Sequence, residues 1–251
     1  MNGVVAAALA RCGGVGAQLI APVFALLPRG RNQLRPYGRV FIFCWLFVGS
    51  AQAADVFDHP QTAQQLLTGP LSQPTAGLRG AQVMRGKFVY KKFLREIPQP
   101  LISRGDFVFA RDLGIDWHTR EPFDSDFVLT AQGMTQRDDG KTTLQMSAAE
   151  QPAVKIVARI FLALLSLDVK SLQDSFSLYG IRQDQQWQVG MRPTVPAVAA
   201  VFKEAVVSGG AQVDTLVLHD ANGDRTEIAF GDLQYDKHIA PAERALFGDR
   251  P

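Results

Sequence analysis

Cysteine is almost absent from this 251-residue chain, since its two cysteines, Cys12 and Cys44, both lie within the first 53 residues. The rest of the sequence therefore has no thiol for a disulfide, a metal site or a covalently attached lipid. Acidic residues are absent from residues 1–53, which contain five of the 26 basic residues. Residues 54–251 consequently hold 21 basic and 24 acidic residues. This net negative charge removes the electrostatic case for nucleic-acid binding.

Long hydrophobic runs are also missing. The uncharged apolar stretch 40–49 has ten residues, which rise about 15 Å as a helix, against a hydrocarbon core of about 30 Å. The stretch follows Arg35 and Arg39 and precedes the small residues of Ser50-Ala51-Gln52-Ala53. A basic segment, a short apolar segment and small residues at the −3 and −1 positions are typical of a signal peptide. Export of the chain and cleavage after Ala53 are therefore predicted.

The first testable prediction is that the secreted protein begins at Ala54, so that residues 54–251 form a single mature domain. N-terminal sequencing checks it, and retention of residues 40–49 in a membrane fraction would contradict it.

The basic segment before the apolar stretch is unusually long, and residues 1–33 are low in complexity. We hypothesise that residues 1–33 are untranslated, because a start at Leu34 leaves a 20-residue signal. A precursor peptide that begins before Leu34 would exclude this.

Motifs for catalysis and for metal binding are missing as well. The sequence has no GxSxG motif, and its four histidines have neither HxxxH nor HExxH spacing. A phosphate loop ending at Gly140-Lys141-Thr142 would need glycine where Thr135 stands. The run Asp220–Asp224 imitates a calcium loop, but Arg225 occupies the position that requires glycine. We therefore expect a protein that is not an enzyme and needs no cofactor and no metal.

Short strand-like segments dominate the sequence from residue 86 onward. They are rich in aromatic and β-branched residues and are separated by Pro, Gly and Asp, as in antiparallel sheets. The pair 213–219 and 226–230 flanks Asn222-Gly223, a strong hairpin signal. The other predicted strands are 86–95, 105–111, 125–131, 141–147, 175–182 and 186–191. About nine short strands in a curved antiparallel sheet are therefore expected.

Three helices are predicted among these strands. A short helix spans 61–67 and ends at Gly69-Pro70, and another follows Thr194, with Pro196 in its first turn, to about Phe202. The third, over 153–167, has apolar residues on every side, so it is expected to be buried nearly all round. An α+β protein with helices on one side of the sheet follows from this pattern.

Between Gly86 and Gly133 the sequence resembles the periplasmic outer-membrane lipoprotein carrier family, LolA and the LolA-like proteins. The resemblance is carried by Gly86-x-Phe88, by the run from Pro100 to Phe109, and by the run from Leu113 to Pro122 that includes Trp117. Gly209-Gly210, the hairpin at 222–230 and the apolar helix in the middle of the chain are similar in order and spacing. The resemblance covers residues 57–235.

This resemblance implies an unclosed antiparallel half β-barrel with an α-helical lid over an apolar concavity. Its implied function is that of a monomeric periplasmic carrier, which takes the acyl chains of lipoproteins from an inner-membrane exporter to an outer-membrane acceptor. The loop 95–104 is closer to the divergent LolA-like branch, which leaves open a glycolipid or another acylated cargo. A regulatory protein of this fold that senses lipoproteins is a further alternative.

The resemblance also implies which residues bind acyl chains. They are the aromatic and aliphatic side chains of the strands and of the apolar helix, namely Phe88, Tyr90, Phe107, Phe109, Trp117, Phe127, Leu129, Ile160, Phe161 and Leu164. In the family, an arginine shortly before the motif tryptophan bonds to the lid. Arg111 has this position, six residues before Trp117, and strand alternation places it on the face of Phe107 and Phe109. Alternatively, Arg111 is a solvated strand end beside Asp112.

Overall fold

The computed structural model describes residues 55–72, 80–150 and 152–248. The predicted signal peptide region therefore lies outside the described residues. The strands form a single antiparallel sheet that does not close into a barrel, with the order β1-β8-β9-β10-β11-β12-β2-β3-β4-β5-β6-β7. The twelve strands are β1 (Pro60–Gln61), β2 (Val83–Phe93), β3 (Leu101–Ala110), β4 (Gly114–Glu121), β5 (Ser125–Thr130), β6 (Gly133–Asp138), β7 (Lys141–Ser147), β8 (Phe176–Gln183), β9 (Gln186–Pro193), β10 (Phe202–Gly209), β11 (Val213–Asp220) and β12 (Arg225–Asp236).

Within the described ranges, five short or medium helices accompany the sheet: α1 (Ala63–Thr68), α2 (Pro152–Leu165), α3 (Val169–Leu172), α4 (Pro196–Ala199) and α5 (Pro241–Arg244). The α+β class and the open half-barrel with a helical lid are thus confirmed. Helix α2 starts and ends within two residues of the predicted 153–167. Helix α1 starts after Thr62, whose hydroxyl accepts a hydrogen bond from the Gln65 amide at 3.2 Å. In the described part of the chain, no helix has the length and apolar character needed to cross a membrane.

Two meanders build the sheet. One meander consists of β2 to β7 and the other of β8 to β12. Within each meander, every strand pairs with the next strand along the chain. The two halves meet where β12 pairs with β2, from Arg225 opposite Phe93 to Asp236 opposite Val83. The predicted hairpin around Asn222-Gly223 is confirmed, with Gly223 at a φ of 91° that favours glycine. We call the strand ends on the side of this hairpin the hairpin end of the sheet, and the opposite strand ends the far end.

Four strands were not expected from the sequence. They are β1, β4, β6 and β10, and β10 starts at Phe202, where the helix after Thr194 was expected to end. That helix is shorter than predicted, because it stops at Ala199 and the chain turns back into the sheet. β6 is polar along much of its length, and pairing with β5 and β7 on both sides stabilises it as a strand.

The C-terminal segment after β12 lies against the outer face of the sheet. Arg85 of β2 binds the Glu243 carboxylate, with Nη2 at 2.7 Å from Oε2, and also binds Asp236. Hydrogen bonding to the Arg85 guanidinium holds the pKa of Glu243 below its usual range. The 3₁₀ turn Ala245–Phe247 contacts β4 and β5. The outer face is therefore partly covered by this segment, and the inner face carries the main core.

Candidate acyl-binding site

The residues predicted to bind acyl chains all belong to one hydrophobic cluster on the inner face of the sheet. Eight of the ten are buried, while Phe127 and Phe161 are half-buried and pack against the others. Inward orientation follows from the twofold alternation of strand side chains. The strand residues come from β2, β3, β4 and β5, and the other three come from α2. The structure thus brings the whole predicted set together.

Three aromatic rings at the centre of the cluster form a stack. Trp117 stacks on Phe88, with ring centroids 3.9 Å apart, and on Phe107, with centroids 5.7 Å apart. Register explains the second contact, because Phe107 and Trp117 lie opposite each other on β3 and β4. Gly105 explains the first, since a Cβ at this position would lie 2.8 Å from the Phe88 ring. The missing side chain lets the Phe88 ring cross β3 and reach Trp117.

Helix α2 covers the inner face of the sheet near the far end. Ile160, Ala163 and Leu164 are buried, while Arg159 on the other side of the helix is exposed and pairs with Asp174. Among the side chains described from 158 to 165, Arg159 is the only exposed one, so the expectation of burial nearly all round is confirmed for this part of the helix.

A small apolar cavity remains between α2 and the sheet. Its volume of about 10 Å³ is close to the space that one water molecule needs. An acyl chain does not fit in this cavity, because Leu164 and Leu165 of α2 occupy the space next to the sheet. The residues that line the cavity are Met84, Leu164, Leu165, Val207, Val213, Leu216, Phe230 and Leu233.

Sequence reasoning found only one of these lining residues, Leu164. The others include inward side chains of β10, β11 and β12, on the half of the sheet that follows α2 in sequence. The alternation of Leu216 and Leu218 with less buried neighbours was visible in the predicted strand 213–219. What the pattern alone could not indicate is that β12 joins β2, which places this half beside Phe88 and Phe107.

Arg111 lies at the far end, directly after β3, and is half-buried. Its Nε donates a hydrogen bond to the Ala81 carbonyl at 2.9 Å, and its backbone amide donates to the Gln82 carbonyl at 3.0 Å. The side chain therefore bonds to the segment that leads into β2, which is not the arrangement of a solvated strand end. A bond from Arg111 to α2 that latches the lid stays a prediction.

At the hairpin end the inner face is polar, which the sequence analysis did not anticipate. Five buried residues with hydroxyl or ammonium groups face inward there, and we call them the polar row: Lys92, Ser103, Thr119, Ser125 and Thr226. They lie on β12, β2, β3, β4 and β5, which are adjacent strands. The row forms one border of the apolar cluster.

Lys92 is the charged member of the polar row. Its ammonium group forms an ion pair with Asp220, the last residue of β11, and donates to the Thr226 hydroxyl at 3.2 Å. The Lys92 side chain is 5% exposed and that of Asp220 is 13% exposed. Because a buried charge needs a partner of opposite sign, the Asp220 carboxylate compensates the charge of the Lys92 ammonium group.

Tyr90 places a hydroxyl next to the polar row. The residue is 4% exposed, and its hydroxyl lies near that of Thr226 but has no hydrogen bond of normal geometry with any residue that the structure describes. Burial raises the pKa of Tyr90, and the nearby Thr226 hydroxyl offsets this effect only in part. The phenol is therefore a neutral donor over the physiological pH range.

A metal site is not indicated, since no three His, Cys, Asp or Glu residues cluster within the described ranges.

Comparison with known proteins concerns the fold. No family model matches the sequence, and no curated protein matches it. Among solved structures, the chain is similar to a LolA superfamily protein from Nitrosomonas europaea, at 8% identity and a TM-score of 0.41, with 75% of this chain and 98% of that chain covered.

Two further solved structures are similar at the same low level. A putative outer membrane lipoprotein-sorting protein domain from Vibrio parahaemolyticus has 7% identity and a TM-score of 0.37, over 77% of this chain and all of that chain. The MucA/MucB complex of Pseudomonas aeruginosa has 16% identity and a TM-score of 0.32, over 68% of this chain and 58% of that chain. Similarity of fold does not by itself define function.

Proposed function

We propose that the protein is a periplasmic carrier, without enzymatic activity, that shields the acyl chains of lipoproteins on their way from the inner to the outer membrane. The observation that carries this proposal is the inner apolar face, which is lined by aromatic rings and covered by a helix instead of a second sheet. A helical cover can move away without breaking the strand pairing. Phe88, Tyr90, Phe107, Phe109, Trp117, Phe127 and Leu129 would form the wall, and Ile160, Phe161 and Leu164 the lid.

The proposed mechanism is a competition for one apolar surface. In the closed state the inner side of α2 buries apolar area, which is worth about 25 cal/mol per Å². An acyl chain that displaces the helix buries similar area, so the two states differ little in free energy and cargo can enter and leave. An inner-membrane exporter would load the carrier and an outer-membrane acceptor would unload it. Cargo with another acylated head group would use the same surface.

The test of this proposal uses Trp117 as a reporter. A fatty acid with two bromine atoms near the middle of its chain should quench Trp117 fluorescence, because displacement of α2 brings the chain against the aromatic stack. Replacement of Trp117 with Phe should remove most of the quenching. Mass spectrometry after prolonged incubation should recover the probe intact, as expected of a carrier that performs no chemistry.

The matched control is Phe123, the most exposed large apolar residue described, with 55% of its surface accessible. Phe123→Ser should leave quenching unchanged, since this ring lies in the turn between β4 and β5, outside the inner face. Quenching that is lost in Phe123→Ser and kept in Trp117→Phe would mean adsorption at the surface and would contradict the proposal. Catalytic turnover of the probe would contradict the non-enzymatic part.

A further inference from the structure

The inner face changes from polar to apolar along each of five adjacent strands. On β12, Ile228 lies two residues from Thr226 toward the far end, and on β5 Phe127 lies two residues from Ser125. The same step leads from Thr119 to Trp117 on β4. On β2 and β3 the step is longer, from Lys92 past Tyr90 to Phe88 and from Ser103 past Gly105 to Phe107. The face as a whole is therefore amphipathic along the strand direction.

Register places the members of the polar row near one another in an oblique line across the strands. Thr226 lies opposite Lys92, and Tyr90 lies opposite Ser103. Thr119 lies opposite Ser125 and, on its other side, opposite Gly105, two residues from Ser103. Directly opposed residues of an antiparallel pair have Cβ atoms about 4.5–5.5 Å apart, so their polar groups share one space. The polar groups thus form one surface on the concave side.

Tyr90 is the residue that most clearly indicates a ligand. Burial of a hydroxyl without a hydrogen bond costs free energy, and native proteins rarely keep such a group without a reason. A phenylalanine would fill the same space without this cost. The Tyr90 hydroxyl lies on the inner face, within reach of the electrostatic influence of Asp220 and Asp224 at the hairpin end. Its donor hydrogen is available to an acceptor oxygen that enters the concavity.

We propose that the polar row with the Tyr90 hydroxyl binds the acyl oxygen of the cargo, a carboxylate or ester carbonyl oxygen, and so fixes the cargo with its head at the hairpin end. This inference rests on the proposed carrier function. The tail then lies along the apolar part of the inner face toward Met84. From Tyr90 to Met84 the strand rises about 20 Å, enough for an acyl layer of about 15 Å, half of a bilayer core.

The experiment compares ligands that share a twelve-carbon chain and differ only in the head. Laurate, methyl laurate and dodecane are titrated against the full-length protein by displacement of a lipophilic fluorophore. One neutral hydrogen bond corresponds to a factor of about 2–10 in affinity. In Tyr90→Phe, the loss of affinity for laurate or methyl laurate should therefore exceed the loss for dodecane at least threefold. The urea midpoint should not fall, because the hydroxyl has no described partner.

Tyr235→Phe is the matched control. Tyr235 also carries a buried hydroxyl without a described partner, but it lies opposite Met84, at the far end of the inner face. Its replacement should change the affinities for the three ligands by the same factor. Ser103→Ala, directly opposite Tyr90, provides a second variant and should reproduce the selective loss for laurate or methyl laurate.

The outcomes separate this inference from the carrier proposal. A selective loss of affinity for laurate alone would show that the polar row binds free fatty acids. A selective loss of affinity that includes methyl laurate would show that it binds esterified acyl groups. Equal losses for all three ligands in Tyr90→Phe and in Ser103→Ala, or a selective loss in Tyr235→Phe, would overturn the head-group site and leave the carrier proposal standing. If the wild-type protein binds none of the three ligands, the carrier proposal itself fails.

Discussion

Replacement of Lys92 with methionine should lower the free energy of unfolding by about 3–5 kcal/mol, the usual cost of removing one partner of a buried ion pair. The expected loss is large because the Asp220 carboxylate, which is 13% exposed in the wild type, would lose the ammonium group that compensates its charge. Urea unfolding of the wild type and the variant, followed by tryptophan fluorescence, measures the difference. The midpoint should shift with little change in slope.

Two further variants test this explanation. In Lys92→Met/Asp220→Asn the unpaired charge is gone, so most of the lost stability should return. Lys87 on the same strand forms an ion pair with Asp232, but both side chains are about 70% exposed. Lys87→Met should therefore leave the urea midpoint nearly unchanged. A loss in Lys92→Met that the second substitution does not reduce would show that lost packing of the lysine chain is responsible.

Replacement of Arg111 with leucine should make acyl cargo bind about tenfold more tightly and should slow its transfer to acceptor vesicles. If the guanidinium stabilises the closed lid, the substitution removes charge-assisted hydrogen bonds, each worth about 1.5–3 kcal/mol. It also adds apolar surface at the far end of the concavity. Since tenfold corresponds to about 1.4 kcal/mol, the loss of a single bond suffices. Titration with an acyl probe and a vesicle transfer assay measure both effects.

Arg182→Leu is the control for this variant. Arg182 also donates from Nε to a carbonyl, that of Asp184 at 3.1 Å, but it does so at the hairpin between β8 and β9. The control should leave affinity and transfer unchanged within about twofold, as is usual for surface substitutions. Equal affinity and equal transfer rate in Arg111→Leu and the wild type would remove Arg111 from the lid mechanism.

The local sequence pattern was enough to predict elements whose structure is determined by residues within the same short segment. Asn222-Gly223 defines a hairpin within a few residues, and the apolar helix 153–167 is visible from composition alone. The predicted wall residues form one cluster because inward orientation follows from alternation along each strand. The aromatic residues at 88, 107 and 117 could therefore be grouped before their contacts were known.

Features that depend on pairing between distant segments could not be predicted in this way. The burial of Lys92 could not be predicted, because lysine is seldom buried and its partner Asp220 lies on a strand that follows much later in sequence. β6 lacks a run of strand-forming residues, and its structure depends on β5 and β7. The polar row likewise exists only once five strands lie in register, so no single strand indicates it.

The pairing of β12 with β2 also has a consequence for how the protein folds. Each meander can form from neighbouring hairpins, whereas this pairing joins residues more than a hundred positions apart, such as Arg225 and Phe93. Contacts of such long sequence separation form slowly, because the entropy of closing the intervening chain must be overcome first. Because the chain is synthesised from its N-terminus, the aromatic face of β2 to β4 stays uncovered until β12 has been synthesised. In a cell, the nascent protein would therefore be most prone to aggregation during this interval.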